Sequence, residues 1–370
     1  MLVVMVSFAH RKVGAGNPCL VIAEIGTSHQ GDAGKARALI DAAARAGADC
    51  IKFQLVHAEE ILHPRSGSVE LPTGRVALYE QFKALEKSTE FYAGLKRDTE
   101  ASGALFLCSP FGVQSARELK SMGVHALKIA SPELNHLPLL REVASYGLPL
   151  FLSSGVSTLA DIERALQIVG RHTTVLMHCI TSDPAPEEEY NVSVLSSLRS
   201  VLGVEVGVSD HSLDPILVPA LAVMYGACAV EKHFTLSREG KGLDDPIALE
   251  PDEFRRMVQA VRAVEAGDGH AARARLEREY GADRVIAVIG TGVKELAASE
   301  LRNYTLTNRS IHAVHEISPG DRIGESDVAI LRSEKVLRPG LGPEFLAVVI
   351  GARAKRLVPD GEGITWADLI

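Results

Sequence analysis

Two histidines and two lysines carry most of the chemistry this sequence suggests. His211 stands in GVSDHSLD and His233 in VEKHFTL, each closing a short β-branched run. Imidazoles supplied by two neighbouring strands suit one divalent ion, and two protein ligands leave coordination positions open to water and substrate. No H-x-x-x-H spacing accompanies them, so the spacing alone is weak ground for a metal. Lys52 in DCIKFQLV and Lys128 in ALKIA end apolar runs in the same way. Two ammonium groups with serine hydroxyls around one cavity suit a phosphate-bearing anion, because they supply charge and short donors. Lys128 equally suits a Schiff-base lysine. Glu133, in KIASPELN, is a candidate acid/base group or an ordinary solvated loop carboxylate.

The elements that must position these residues repeat from residue 19 to about 266: a short apolar strand, a polar corner, then a segment of helical period. Strands begin near Cys19, Asp49, Ala104, Ala126, Leu148, Thr173, Val204 and Ala227, with helices over 32–47, 113–123, 137–147, 158–170, 192–202, 215–226 and 251–266. Eight strands separated by helices predict a (β/α)8 barrel, whose chemistry gathers where the strand C-termini converge. Those ends carry Glu24 on strand one, Lys52 and Gln54 on two, Ser109 on three and Lys128 on four. Strand five adds Ser153 and Ser154, six adds His178, seven adds Ser209 and His211, and eight adds His233. A single such residue has a dull explanation; polar residues at all eight ends do not. Segment 57–75, with Pro64, Gly67, Pro72 and Gly74, reads as a functional loop or lid. Residues 3–18 read as a hairpin turning at Gly14–Gly16 and plugging the barrel floor.

Composition bounds the rest. The 370 residues are 46% hydrophobic and 23% charged, with a net charge of −8, so no overall field attracts nucleic acid or anionic lipid. The apolar opening lacks a basic flank and a cleavage site, and no 18-residue apolar run follows, so neither a leader nor a membrane span is expected. Five dispersed cysteines without a C-x-x-C pair read as buried thiols in a reducing, cytoplasmic setting. Three regions are expected: a catalytic barrel with its hairpin over 1–266, a linker or insertion over 267–303, and a small β-rich module over 304–370 broken by ISPGDRIG, LRPGLG and VPDGEG.

The strings AEIGTSHQGD, AGADCIKFQ, CSPF, LKIASPELN, LSSGVST, GVSDHSLD and VEKHFTL resemble the sialic-acid synthase family. GVKELAASELRN and NRSIHAV resemble it too, ahead of a module similar to that family's antifreeze-like (SAF) domain. The resemblance runs through nearly the whole chain, in order. It implies a transferase that condenses phosphoenolpyruvate with an open-chain N-acetylated amino sugar. The products would be a nine-carbon 2-keto acid and phosphate released by C–O cleavage. It implies Mn2+ or Mg2+ on His211 and His233, with phosphoenolpyruvate on Lys52, Lys128, Ser131, Ser153 and Ser209. The sugar would meet Glu24, Gln54, Ser109, Phe111 and Asp244, while Glu133 manages the proton of the water or hydroxyl. Arg338 matches an arginine that reaches across a domain-swapped homodimer into the partner's barrel. The chain departs from the family's neuraminate synthases at Thr73, Thr181 and Asp183, where an Asn, an Asn and a Tyr are expected. Extra residues before Arg338 make Arg332 an alternative reaching arginine, and 268–288 has no counterpart in the pattern. Competing readings are a related phosphoenolpyruvate–aldose synthase using a phosphorylated sugar, a non-catalytic sugar-binding barrel, and a Schiff-base aldolase.

Overall fold

The computed structural model describes residues 5–71, 74–334 and 336–370. Eight parallel strands form its centre: Leu20–Gly26, Cys50–Leu55, Leu105–Pro110, Leu127–Ile129, Leu150–Ser153, Thr174–Cys179, Glu205–Asp210 and Ala229–His233, called strands one to eight. Their order is three-two-one-eight-seven-six-five-four, and strands three and four at the two ends lie side by side, so the barrel is nearly closed. A helix follows every strand: Ala33–Ala46, Thr89–Ala101, Val113–Ser121, Leu137–Ala144, Leu159–Val169, Val194–Leu202, Leu217–Met224 and Pro251–Ala266.

The strands are apolar on both faces because both are covered. Strand period two sends Val21, Ile51 and Phe53 outward into the helix layer. The alternate residues Leu20, Ile22, Cys50, Leu107, Phe151 and Met177 fill the barrel interior. The hairpin Val6–Phe8/Arg11–Val13 inserts Val6, Phe8 and Val13 into that interior and closes the barrel floor, with the Phe8 and Phe151 rings 5.7 Å apart. Its reversal falls at Ala9–His10, where Ala9 takes φ 52; Gly14 and Gly16 instead redirect the chain into strand one. The hairpin thus packs the barrel floor, and the strand C-termini converge at the other end.

Segment 57–75 contains a short 3-10 turn, Ala58–Glu60, and the start of an antiparallel pair, Ser68–Leu71 with Gly74–Ala77. Helix Leu78–Leu85 follows. Thr73 lies outside the described residues. The polar stretch around 268–288 forms helices Gly269–Tyr280 and Ala282–Ile289, whose Leu276, Val285 and Val288 join the barrel's helix-layer core.

The C-terminal module has its own core around Ile311, Ile323, Ile330, Val349 and Ile364. Among the described residues it contains one antiparallel pair, Arg309–Ala313 with Val328–Arg332, and otherwise single bridges such as Ile317↔Val358 and Arg322↔Arg353. Frequent Gly and Pro keep its strands short. The module lies over the barrel mouth: the Asn135 side chain exchanges two hydrogen bonds with the Arg309 backbone, at 2.8 and 3.0 Å, and Arg332 N donates to the Ile61 carbonyl at 3.0 Å. All five cysteines are free and buried. Among the described residues no helix is long and apolar enough to cross a membrane.

Candidate active site

The open end of the barrel holds a cavity of about 410 Å³ lined by inward-facing residues of the strand ends and by the segment leading to the C-terminal module. Strand one contributes Glu24, strand two Lys52 and Gln54, strand four Lys128, strand five Ser153, strand seven Ser209 and strand eight His233. His211 stands one residue past strand seven; Phe111, Ser131 and Asp244 come from the loops.

The charges are tightly organised. Lys52 Nζ lies 2.6 Å from Glu24 Oε1, which also accepts from Gln54 Nε2 at 2.7 Å. Lys128 Nζ and Ser209 Oγ both donate to Glu231 Oε1 at 3.0 Å, and Lys52 Nζ is 3.6 Å from the same oxygen. Burial opposes charge on Glu231, but Lys128 and Lys52 outweigh it and hold the carboxyl down, at about 2. Burial also opposes charge on Lys52, yet Glu231 and Glu24 keep its ammonium above the usual range. Lys128 falls below its ordinary value, through burial and the neighbouring Lys52, with Glu231 opposing. The second oxygens of Glu24 and Glu231 are buried without a hydrogen-bond partner, as are the hydroxyls of Ser153 and Thr181. Unmet acceptors and donors beside two ammonium groups are what a polar, anionic ligand would satisfy.

The His211 and His233 rings share the cavity with centroids 5.3 Å apart. They are fixed from behind. Lys232, just before His233 on strand eight, donates to Asp210 Oδ2 at 2.5 Å and to the Ser212 and Asp214 carbonyls around His211, while His211 N donates to Tyr190 Oη at 2.6 Å. His211 Nδ1 is buried without a hydrogen bond, 3.4 Å from Asp183 Oδ1, and His233 Nδ1 is 3.6 Å from Asp244 Oδ2. Burial holds the His211 imidazolium down in pKa against the opposing Asp183, with His233 adding to the fall, and so favours the neutral, ligating form. The two rings fit a divalent ion with most positions left open. Among the described residues no three His, Cys, Asp or Glu side chains converge into a ligand set of their own.

Several strand-end expectations fall elsewhere. Glu133 is fully buried and does not line the cavity. Its Oε1 receives Arg309 Nη2 at 2.8 Å and Arg332 Nη2 at 2.6 Å, and its other oxygen is equally buried, so the expected proton exchange at the mouth does not fit this placement. Ser109, next to last in strand three, has its hydroxyl buried outside the cavity lining. His178 and Ser154 face away from the cavity: His178 Nε2 bonds the Tyr190 carbonyl at 2.7 Å, and Ser154 Oγ bonds the Met177 carbonyl at 3.3 Å. Arg338 stays within the C-terminal module, donating to the Gly363 carbonyl and to Asp368 Oδ2 at 3.0 Å. Arg332 lines this chain's own cavity and lies over the Phe111 ring, 5.7 Å from its centre. Glu231 was missed, although it stands two residues before His233 and period two puts both on one face. Thr181, Asp183, Arg302, Asn303 and Thr307 complete the outer wall.

Comparison with known proteins finds relatives along nearly the whole chain. The spore coat polysaccharide biosynthesis protein SpsE of Bacillus subtilis is 34% identical, covering 98% of this chain and 96% of the relative. Its crystal structure superposes with a TM-score of 0.83 over 99% of both chains. The N,N'-diacetyllegionaminic acid synthase of Legionella pneumophila is 31% identical over 95% of each chain. A crystal structure of N-acetylneuraminic acid synthetase from Leptospira borgpetersenii, in complex with citrate, has a TM-score of 0.66 at 32% identity, covering 76% of this chain and 98% of that one. Residues 308–370 match the SAF domain, and residues 39–273 match the NeuB family, the family to which this chain belongs.

Proposed function

We propose that this cavity condenses phosphoenolpyruvate with the open-chain form of an N-acetylated amino sugar, giving a nine-carbon 2-keto acid and phosphate. The relatives named as legionaminic and neuraminic acid synthases support the product class. The observation that carries the reading is the meeting of two buried ammonium groups and two imidazoles in one cavity. In the reaction, C3 of phosphoenolpyruvate bonds to the aldehyde carbon and water adds at C2. The C2–O bond to phosphate then breaks, leaving the keto group. One water is consumed; one of its protons ends on the sugar-derived hydroxyl and the other leaves with phosphate.

Each residue has a share in that sequence. Lys52 and Lys128 compensate the phosphate and carboxylate charge, and the free hydroxyls of Ser153 and Thr181, with Ser131, donate to the same anion. Glu231 and Glu24 hold the two ammonium groups charged and in place. The unpartnered second oxygen of Glu24 takes the proton from the attacking water, the duty first expected of Glu133. Gln54, Asp244 and Phe111 face the sugar. His211 and His233 would hold Mn2+ or Mg2+, which supplies Lewis-acid polarisation of the aldehyde oxygen.

Phosphate release from phosphoenolpyruvate is the test, across a panel of N-acetylated amino sugars with and without Mn2+, with product masses measured. Release should require both the sugar and the metal. No release with any member under saturating Mn2+ ends the reading, and borohydride trapping at Lys128 would replace it with a Schiff-base aldolase. Arg302, beside Asn303 and Thr307 on the outer wall, favours a phosphorylated sugar as the second reading, so 6-phosphates belong in the panel.

A further inference from the structure

We infer that Glu300, in the segment joining barrel to C-terminal module, is a positioning residue that clamps the loops after strands five and six into their ligand-binding shape. This rests on the anionic-ligand reading of the cavity, but its structural half stands apart from it. Glu300 is fully buried. Its Oε1 accepts from Val156 N at 2.7 Å, in the loop after strand five, and from Thr181 N at 2.8 Å, in the loop after strand six. Its Oε2 accepts from Ala297 N at 3.1 Å, which ties the joining segment to the same carboxylate. One side chain thus satisfies three backbone donors from three parts of the chain.

What it holds is strained. Val156 is a buried β-branched residue at φ 42, in the left-handed region that such residues avoid. A second residue of the same segment, Asn308, donates to the Val156 carbonyl at 3.0 Å, so both backbone polar groups of Val156 are gripped from outside the barrel. The conformation brings Gly155 so close that an added Cβ would stand 2.1 Å from Thr181 Oγ1 and 2.9 Å from Ser131 Oγ. Gly155 N donates to Ser131 Oγ at 3.0 Å. The clamp therefore draws the loops after strands four, five and six together and lines up the hydroxyls of Ser131, Ser153 and Thr181 on the cavity wall beside Lys128. The hydrogen bonds to Glu300 and from Asn308 are what hold Val156 in that left-handed conformation.

Two variants of the full-length protein separate this from a merely structural role. Glu300→Ala removes both acceptor oxygens and with them all three hydrogen bonds; Glu300→Gln keeps an oxygen for Val156 and Thr181. Hydrogen exchange should speed up at the Val156 and Thr181 amides in Glu300→Ala and stay near wild type in Glu300→Gln. Phosphoenolpyruvate binding, measured by calorimetry, should weaken about tenfold in Glu300→Ala and under about threefold in Glu300→Gln, since small displacements of positioning groups are felt strongly. Unchanged exchange at both amides in Glu300→Ala overturns the clamp. Faster exchange with unchanged binding overturns its link to the ligand. If wild type itself binds no phosphoenolpyruvate, the proposed function fails, while the exchange result still decides the clamp.

Discussion

Burial lowers the Lys128 pKa, and Glu231 Oε1, 3.0 Å away, is the main group opposing that fall. Burial alone favours the neutral amine, and Lys52 pushes in the same direction. Glu231→Gln removes the opposing charge, so the Lys128 pKa must fall further. A cation that binds an anion is lost as pH rises through its pKa. The alkaline limb of kcat/KM for phosphoenolpyruvate should therefore move to lower pH in Glu231→Gln, with kcat/KM at neutral pH down on the order of tenfold. A limb that stays in place would show that Glu231 does not sustain the ammonium. At this scale much was legible: strand-end types and period two gave Lys52, Lys128, Ser153, Ser209, His211 and His233 a common cavity. Glu133 was misread because the arginines that engage it stand 176 and 199 residues away, beyond any local pattern. His178 was misread because Met177 and Cys179 take the inward positions of strand six, so period two turns it outward.

The pair Arg309–Ala313/Val328–Arg332 shows what an element adds. It buries His312, whose Nδ1 meets the Gly361 carbonyl at 2.8 Å and whose Nε2 meets Ser310 and Ser333 hydroxyls at 2.9 and 3.1 Å. A carbonyl only accepts, so the neutral ring carries its proton on Nδ1. Burial is the main reason its pKa drops from 6.5 to about 4. The unfolded chain then takes up a proton below pH 6.5 that the folded one refuses, so stability falls as pH drops from 6.5 towards 4. The shift is worth on the order of 3 kcal/mol at most. Melting of His312→Gln between pH 7 and 5 should be flatter with pH than wild type; parallel curves would rule the residue out as the cause. The barrel rhythm was readable because each strand and helix follows a local period. The hairpin's turn was not, since Ala9 rather than a glycine takes the left-handed position. The module's single bridges depend on partners far along the chain and leave no period to read.

For the whole molecule, the question is whose barrel the C-terminal module serves. Arg309 and Arg332 both reach Glu133 of their own chain, and Arg309 also donates to the Phe111 carbonyl at 2.8 Å. Removing them would leave a buried carboxylate without its cations, which is far more costly than the pair's net contribution to stability. Docking in cis is thus built on contacts that cannot be given up cheaply, and it puts Arg332 on the wall of the same cavity that holds Lys128. Single variants Lys128→Ala and Arg332→Ala should each lose activity, by at least about tenfold. When the two are co-expressed and purified as mixed assemblies, cis docking leaves every cavity with one defect, and activity should stay at the level of the weaker sites. A module lent to a neighbour would instead rebuild one intact cavity in each mixed pair, from the Lys128 of one chain and the Arg332 of the other. Recovery towards wild-type activity would show that exchange of modules between chains, implied by the family resemblance, overrides the contacts each module makes with its own barrel.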